Sequence, residues 1–165
     1  MTAELFALPP FAARLFLPAV LPVCAWVVLS DLRAMKIRNA AVLSLALVFC
    51  ILAPMAFPFP VVAARLGQGA AILALGFALN AAGAMGAGDA KFLAAGAPFV
   101  APADAGSVLG LLAVVTLAAL MTHRAARATP LRRLAPGWAS WTAPRFPMGL
   151  ALGPTLAAYL ALAAI

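Results

Sequence analysis

Apolar residues fall into six runs, separated by short basic, glycine-rich or proline-rich breaks. A helix that crosses a bilayer needs about 20 apolar residues, with a range of roughly 17–25. The first run extends from about Phe11 to Ser30 and holds Pro18 and Pro22, which should kink it; neighbouring helices can tolerate such a kink. The second goes from about Ala40 to Phe57 and is broken by Phe57-Pro58-Phe59-Pro60. Val61 to Leu66 reads as a short interfacial element, and the third run covers about Gly67 to Met85. The fourth, Ala90 to about Val100, is only about 11 residues long, too few to span straight through. It predicts a half-helix, or a helix continuing beyond Pro98 and Pro102. A fifth run covers about Ala105 to Thr122, a long loop runs from His123 to Arg145, and the last run goes from about Pro147 to Ile165. The expected fold is all-α: a polytopic membrane helix bundle of about six transmembrane helices with a short or broken fourth. No repeat or soluble domain interrupts it, so residues 1–165 read as a single integral-membrane domain.

Composition supports the bilayer assignment. Apolar residues make up 67% of the chain and charged residues 9%, and mean hydropathy is +1.11. Soluble domains hold about 45–50% apolar and about 25% charged residues. The net charge of +7 suggests nucleic acid only until the charges are located, because they fall in short loops between apolar runs. With six crossings, Arg33, Lys36, Arg38, Lys91, Arg124, Arg127, Arg132, Arg133 and Arg145 share one side, and only Arg14 and Arg65 lie on the other. Nine basic residues against two is a strong positive-inside signal. It predicts a multi-pass membrane protein with the Asp loops and the long Arg-rich loop in the cytoplasm and both termini outside. Trp138 and Trp141 are expected at the headgroup level. Cys24 and Cys50 lie in apolar segments without a CxxC or a Cys/His cluster, so neither a zinc site nor a disulfide framework is indicated. No metal or cofactor is expected, and no nucleic-acid partner. Glu4, where a signal peptide would carry basic residues, argues against a cleaved leader.

The acids then stand out, because there are only four: Glu4, Asp31, Asp89 and Asp104. Asp31 and Asp89 end apolar runs, and counting spans puts both on the cytoplasmic face. An ionisable group beside the bilayer core is costly and is a functional-site candidate by default. Two carboxylates within roughly 3–5 Å cannot both ionise cheaply at low dielectric, so such a pair shares a proton. The ionised member can serve as general base on a water while the protonated member polarises a peptide carbonyl. The macrodipole disfavours a negative charge at Asp31, at the end of the first helix, and favours one at Asp89, at the start of the fourth. The plainer alternative makes Asp89 a helix cap and pairs Asp31 with Arg33 or Arg38. Gly83, Gly86 and Gly88 lead into Asp89. They permit positive φ and close backbone approach, suited to holding an extended substrate, or else serve close helix packing. A positive φ at Gly88 would make that position intolerant of a side chain. Lys91 either pairs with a carboxylate or snorkels to the interface. His123 reads as a solvated interface residue, and Asp104 as a helix cap or loop residue on the outer side.

Three patches resemble a known family. Asp31-Leu32-Arg33-Ala34-Met35-Lys36-Ile37-Arg38-Asn39 is close to D-x-R-x-x-x-I-P-N, and Gly86-Ala87-Gly88-Asp89-Ala90-Lys91 matches G-x-G-D-x-K. Phe146-Pro147-Met148-Gly149-Leu150-Ala151-Leu152 is similar to a P-Y-G-x-A segment that opens the last helix. In order and spacing the chain resembles the prepilin peptidases, aspartic proteases of the GxGD class, and looks most like the short Tad/Cpa-type members that process Flp pilins. Arg38 stands where the family usually has Pro, and Met148 where it has Tyr. The resemblance implies that Asp31 and Asp89 are the catalytic pair, with Gly86, Gly88, Lys91 and Asn39 as motif or substrate-loop residues. It also implies, as partners, membrane lipid and type IV-like prepilins bound through their leader peptide and N-terminal helix, with a short basic leader cleaved at the cytoplasmic face of the bacterial inner membrane. Larger members methylate the new pilin N-terminus with an extra cytoplasmic segment bearing paired cysteines. This sequence shows neither, so proteolysis alone is expected. Presenilin-like enzymes share GxGD but place their first aspartate in a Tyr-Asp pair, whereas Asp31 follows Ser30.

Two other readings compete. A small proton-coupled transporter would use two acids as a relay, with midplane acids favouring it. A noncatalytic scaffold for a membrane assembly would use the aspartates as caps. Sidedness is directly testable: single cysteines in the Asp31–Asn39 and His123–Arg145 loops should escape an impermeant reagent applied to intact cells. Labelling of either loop from outside would overturn the topology.

Overall fold

Prolines open two of the helices. Pro10 is the first residue of α1 (Pro10–Ala34), and Pro60 is the second residue of α3 (Phe59–Ala81). In a first turn the missing N–H is one that would have no helical partner anyway. In this computed structural model, which describes residues 6–165, the chain is an all-helical polytopic bundle completed by α2 (Asn39–Ala56), α4 (Ala87–Gly96), α5 (Ala105–Ala128) and α6 (Gly149–Ala163). Glu4 lies outside the described residues. The helices α1, α2, α3 and α5 are long and apolar enough to cross a membrane, and α6 is a shorter apolar helix. The fourth has 10 residues, about 15 Å of rise, before a 3-10 turn at Ala97–Phe99.

Several boundaries differ from the sequence reading. Val61–Leu66 is not a separate element but the first part of α3, since Pro58 and Pro60 initiate a helix that nothing downstream interrupts. The fifth helix runs past Thr122 through His123 and Arg127 to Ala128, because alanine and arginine sustain a helix after the apolar run has ended. His123 is consequently buried, not solvated. It stacks on Trp141 at 5.2 Å between ring centroids and meets Phe146 edge-on at 6.0 Å. Trp138 stacks in turn on Trp141 at 5.6 Å. Trp141 thus packs onto the end of α5 and carries Trp138 with it.

Two helix pairs approach backbone to backbone. A Cβ on Gly76 of α3 would lie 2.7 Å from the Ala90 Cβ, and one on Gly69 would lie 2.9 Å from the Ala94 carbonyl oxygen. On the other side of the bundle, a Cβ on Gly153 of α6 would stand 3.0 Å from the Cys24 carbonyl oxygen of α1. Between the pairs sits an aromatic centre in which Phe99 meets Phe16 and Phe49 edge-on, at 5.1 and 5.2 Å.

The short α4 leaves backbone carbonyls at a depth where water cannot satisfy them. Two α3 side chains do so. Arg65 Nη1 donates to the Pro98 carbonyl at 3.0 Å, and Gln68 Nε2 donates to those of Ala97 and Val100 at 3.0 and 3.3 Å. Tyr159 of α6 accepts the Ala101 N–H and donates to Asp104 Oδ2 at 2.7 Å. Asp104 also accepts the N–H groups of Ala7 and Leu8 at 2.8 and 3.1 Å. It occupies the position before α5 without a side-chain cap hydrogen bond, and it is buried.

The α3–α4 contact should be sensitive to a single methyl. Gly76→Ala is expected to cost about 1–3 kcal/mol through overpacking. Adding Ala90→Gly should restore most of that loss, because the two positions share one volume. Survival of monodisperse protein after heating in detergent measures both. Equal stability of Gly76→Ala and the parent would remove the contact as a determinant.

Candidate active site

Asp31 sits in the last turn of α1, where its backbone carbonyl accepts the Met35 N–H at 2.8 Å and closes the helix. Met35 takes the left-handed conformation, φ 51°, unusual for a residue with a side chain. That cap turns the chain sharply, so Met35, Lys36 and Ile37 line a cleft together with Asp31. The Asp31 side chain does not pair with Arg33 or Arg38, which are both exposed. Instead Asp31 Oδ2 accepts the backbone N–H of Gly149 at 2.6 Å. Gly149 is the first residue of α6, so the donor is one of the unpartnered N–H groups at the positive end of a helix. The dipole penalty expected from the end of α1 is thus met by the start of α6. A Cβ on Gly149 would fall 2.8 Å from the Asp31 Cβ.

Asp89 lies in the first turn of α4, inside the helix and not ahead of it. Its carboxylate folds back over Gly86, where a Cβ would stand 2.6 Å from Asp89 Oδ2. The turn before it is closed by Gly83 at φ 74° and by Asn80 Nδ2 donating to the Met85 carbonyl at 2.8 Å. Gly88 has no positive φ, so strain does not explain its identity. Its role is spatial: a Cβ there would be 3.2 Å from the Ile37 Cβ, pressing the two motif segments apart.

Asp31 and Asp89 face one cleft of about 800 Å³, rimmed by Lys36 and Arg145 and floored by Met148. Asp89 lies on α4, outside the four long apolar helices. Burial first, and then the nearby charge of Asp31, push its carboxyl up to about 6, against the opposing effect of the Gly86 N–H. The cleft therefore holds one carboxyl raised above the ordinary carboxylate range and one that accepts a backbone hydrogen bond.

The family match covers the same residues. The model of the type IV leader peptidase family matches residues 18–123, from within α1 to near the end of α5. The chain belongs to the type IV leader peptidase family. No curated protein and no solved structure gives a significant match. Family membership makes the chain a peptidase of a membrane-embedded kind, and both aspartates lie within the matched stretch.

The remaining motif residues divide. Gly86 and Gly88 join the aspartate cleft, but Asn39 and Lys91 do not. Lys91 Nζ donates to Asn39 Oδ1 at 3.2 Å, at a separate groove between α2, α3 and α4. Two residues along a helix is about 200° of rotation, so Lys91 turns away from the face that carries Asp89. The residue that sequence reasoning passed over is Gly149, whose signal was present in the Pro147-Met148-Gly149 patch and which lies beyond the matched stretch. Among the described residues no His, Cys, Asp or Glu side chains gather as three around a point where a metal could sit.

Gly149→Ala should leave the bundle folded but push the Asp31 carboxylate aside. A displacement of roughly 1 Å at a reacting group can lower a rate by about a hundredfold. The expected result is a kcat loss of that order on a leader-bearing pilin, with KM little changed. Near-normal kcat in folded Gly149→Ala would detach Gly149 from the site.

Proposed function

We propose that this peptidase is an aspartic endopeptidase that removes the leader from type IV-like, Flp-type prepilins at the cytoplasmic face of the bacterial inner membrane. Asp31 and Asp89 form its catalytic dyad. The observation that carries the reading is their convergence on a single cleft, each held by backbone glycines from a different motif.

The geometry suggests a division of labour. Asp31, with a backbone donor 2.6 Å from Oδ2, is suited to be the ionised member that takes a proton from the attacking water. Asp89, whose carboxyl is raised to about 6, is suited to hold the proton and polarise the scissile carbonyl. As the tetrahedral intermediate collapses, the proton now on Asp31 passes to the departing amine. Titration belongs to the pair, not to either residue alone. Lys36 and Arg145 at the rim disfavour cations beside the scissile bond. The basic part of the leader therefore lies farther out, toward anionic headgroups.

Asp31→Asn and Asp89→Asn should each reduce cleavage of a leader-bearing pilin in vesicles by roughly 10²–10⁴-fold or more, with insertion and folding retained. In the parent enzyme, kcat/KM should fall as pH rises through about 6, because Asp89 then loses the proton it must donate. Robust cleavage by either folded variant would reject the dyad.

A further inference from the structure

The packing of α5 is unlike that of the other long helices. Its most apolar stretch contributes no buried residue to the bundle, and along the whole helix only His123 is buried. Toward α3 and α4 it stands off, leaving an apolar trough of about 210 Å³. Val108, Leu109 and Leu112 form one wall, and Leu93, Gly96 and Leu156 lie opposite. Two polar residues line the trough, and both direct their donors into the protein backbone. Gln68 bonds the Ala97 and Val100 carbonyls, and Thr155 Oγ1 donates to the Ala151 carbonyl at 2.8 Å. The surface presented to an occupant is therefore apolar.

The trough is also continuous with the aspartate cleft. Leu93, Leu112 and Leu152 line both. A polypeptide with its scissile bond at Asp31 and Asp89 thus finds a charged, open rim on one side and an apolar channel open to lipid on the other. We infer that the trough beside α5 is the docking site for the apolar helical segment of the substrate, which reaches the dyad sideways from the bilayer. This rests on the peptidase reading and adds the helix-binding surface to it. The volume suits a few side chains inserted from a docked helix, not a whole helix. Small residues such as Gly96 and Ala97 on the α4 side let that helix come close. Between α1 and α6 the packing is close: a Cβ on Gly149 would meet the Asp31 side chain, and one on Gly153 would meet the Cys24 carbonyl.

Cysteine cross-linking in vesicles tests this. The protein carries Cys50→Ala to remove the exposed native thiol and Asp89→Asn to hold substrate uncleaved. A cysteine replaces Leu109, or Leu47 on the exposed face of α2 as control. The probe is a prepilin with one cysteine in its apolar segment about two turns past the scissile bond. Disulfide formation is expected at Leu109→Cys and not at Leu47→Cys. In the cleavage-competent background, Leu109→Trp should raise KM for the full prepilin about tenfold more than KM for a short peptide spanning the scissile bond without the apolar segment. Equal cross-linking at the two positions, or cross-linking only between two copies of the peptidase, would overturn the docking site. So would equal KM changes for the two substrates. If the parent enzyme cleaves prepilin while α5 fails these tests, the docking site falls and the peptidase reading stands. If the parent cleaves neither substrate, the peptidase reading falls and takes the docking site with it.

Discussion

Close contact through glycine is the interaction on which the rest of this bundle depends. In a bilayer, lipid tails are as apolar as leucine, so helices gain little merely by hiding apolar side chains from lipid. They gain by approaching closely enough for backbones to touch. Here that happens twice, between α3 and α4 at Gly69 and Gly76 and between α1 and α6 at Gly149 and Gly153. Each pair carries one of the two aspartates that face the cleft, Asp89 on α4 and Asp31 on α1. The separation of the two carboxylates is then a property of how two rigid pairs meet across the Phe16, Phe49 and Phe99 centre. The fifth helix belongs to neither glycine contact: its most apolar stretch buries no residue fully, and Val108, Leu111 and Leu112 pack only half-buried against the core.

A helix that stops at membrane depth needs polar partners for its open end, and this need explains residues that otherwise look misplaced. Arg65 is a buried guanidinium in an apolar helix, yet it lies over the Phe57 ring at 4.4 Å and donates to the Pro98 carbonyl. Gln68, one turn further along, serves the carbonyls of Ala97 and Val100. Because those carbonyls are satisfied, α4 can end at Gly96, and its first turn can sit high enough to bring Asp89 into the cleft. A fourth helix long enough to span would not require this polar cluster.

Most of the architecture was legible in the sequence because apolar runs, glycines and prolines act locally. The six runs, the shortness of the fourth and the places of Asp31 and Asp89 at helix ends all follow from residue type and spacing. What escaped depends on contacts far apart in the chain. The α5 extension to Ala128 adds two turns that carry arginines on a surface hydropathy does not register, and only the packing of Trp141 against His123 reveals where that helix points. For Lys91 the sequence leaves carboxylate pairing and snorkelling both open; helical rotation turns it from Asp89 and delivers it to Asn39. The N–H that meets Asp31 comes from Gly149, 118 residues later, and nothing local to Asp31 foretells it.

The three described aspartates can be ranked by their donors, which separates structure from chemistry more sharply than position does. Asp104 accepts from two backbone N–H groups and from the Tyr159 hydroxyl, is buried, and ties residues 7 and 8 to α6. With both oxygens engaged, it has little left with which to handle a water or a substrate carbonyl. Asp31 holds one backbone donor on Oδ2, and Asp89 is folded onto Gly86 alone, while both face an open cleft. A partly satisfied carboxylate is costly at a membrane boundary, since unmet hydrogen-bonding capacity there is not supplied by lipid. Two of them at one cleft are best accounted for by a partner that arrives from outside the fold, such as a water and a peptide bond. The same accounting sets four other polar side chains apart from the cleft: Arg65, Gln68, Thr155 and Tyr159 all complete backbone groups of the bundle.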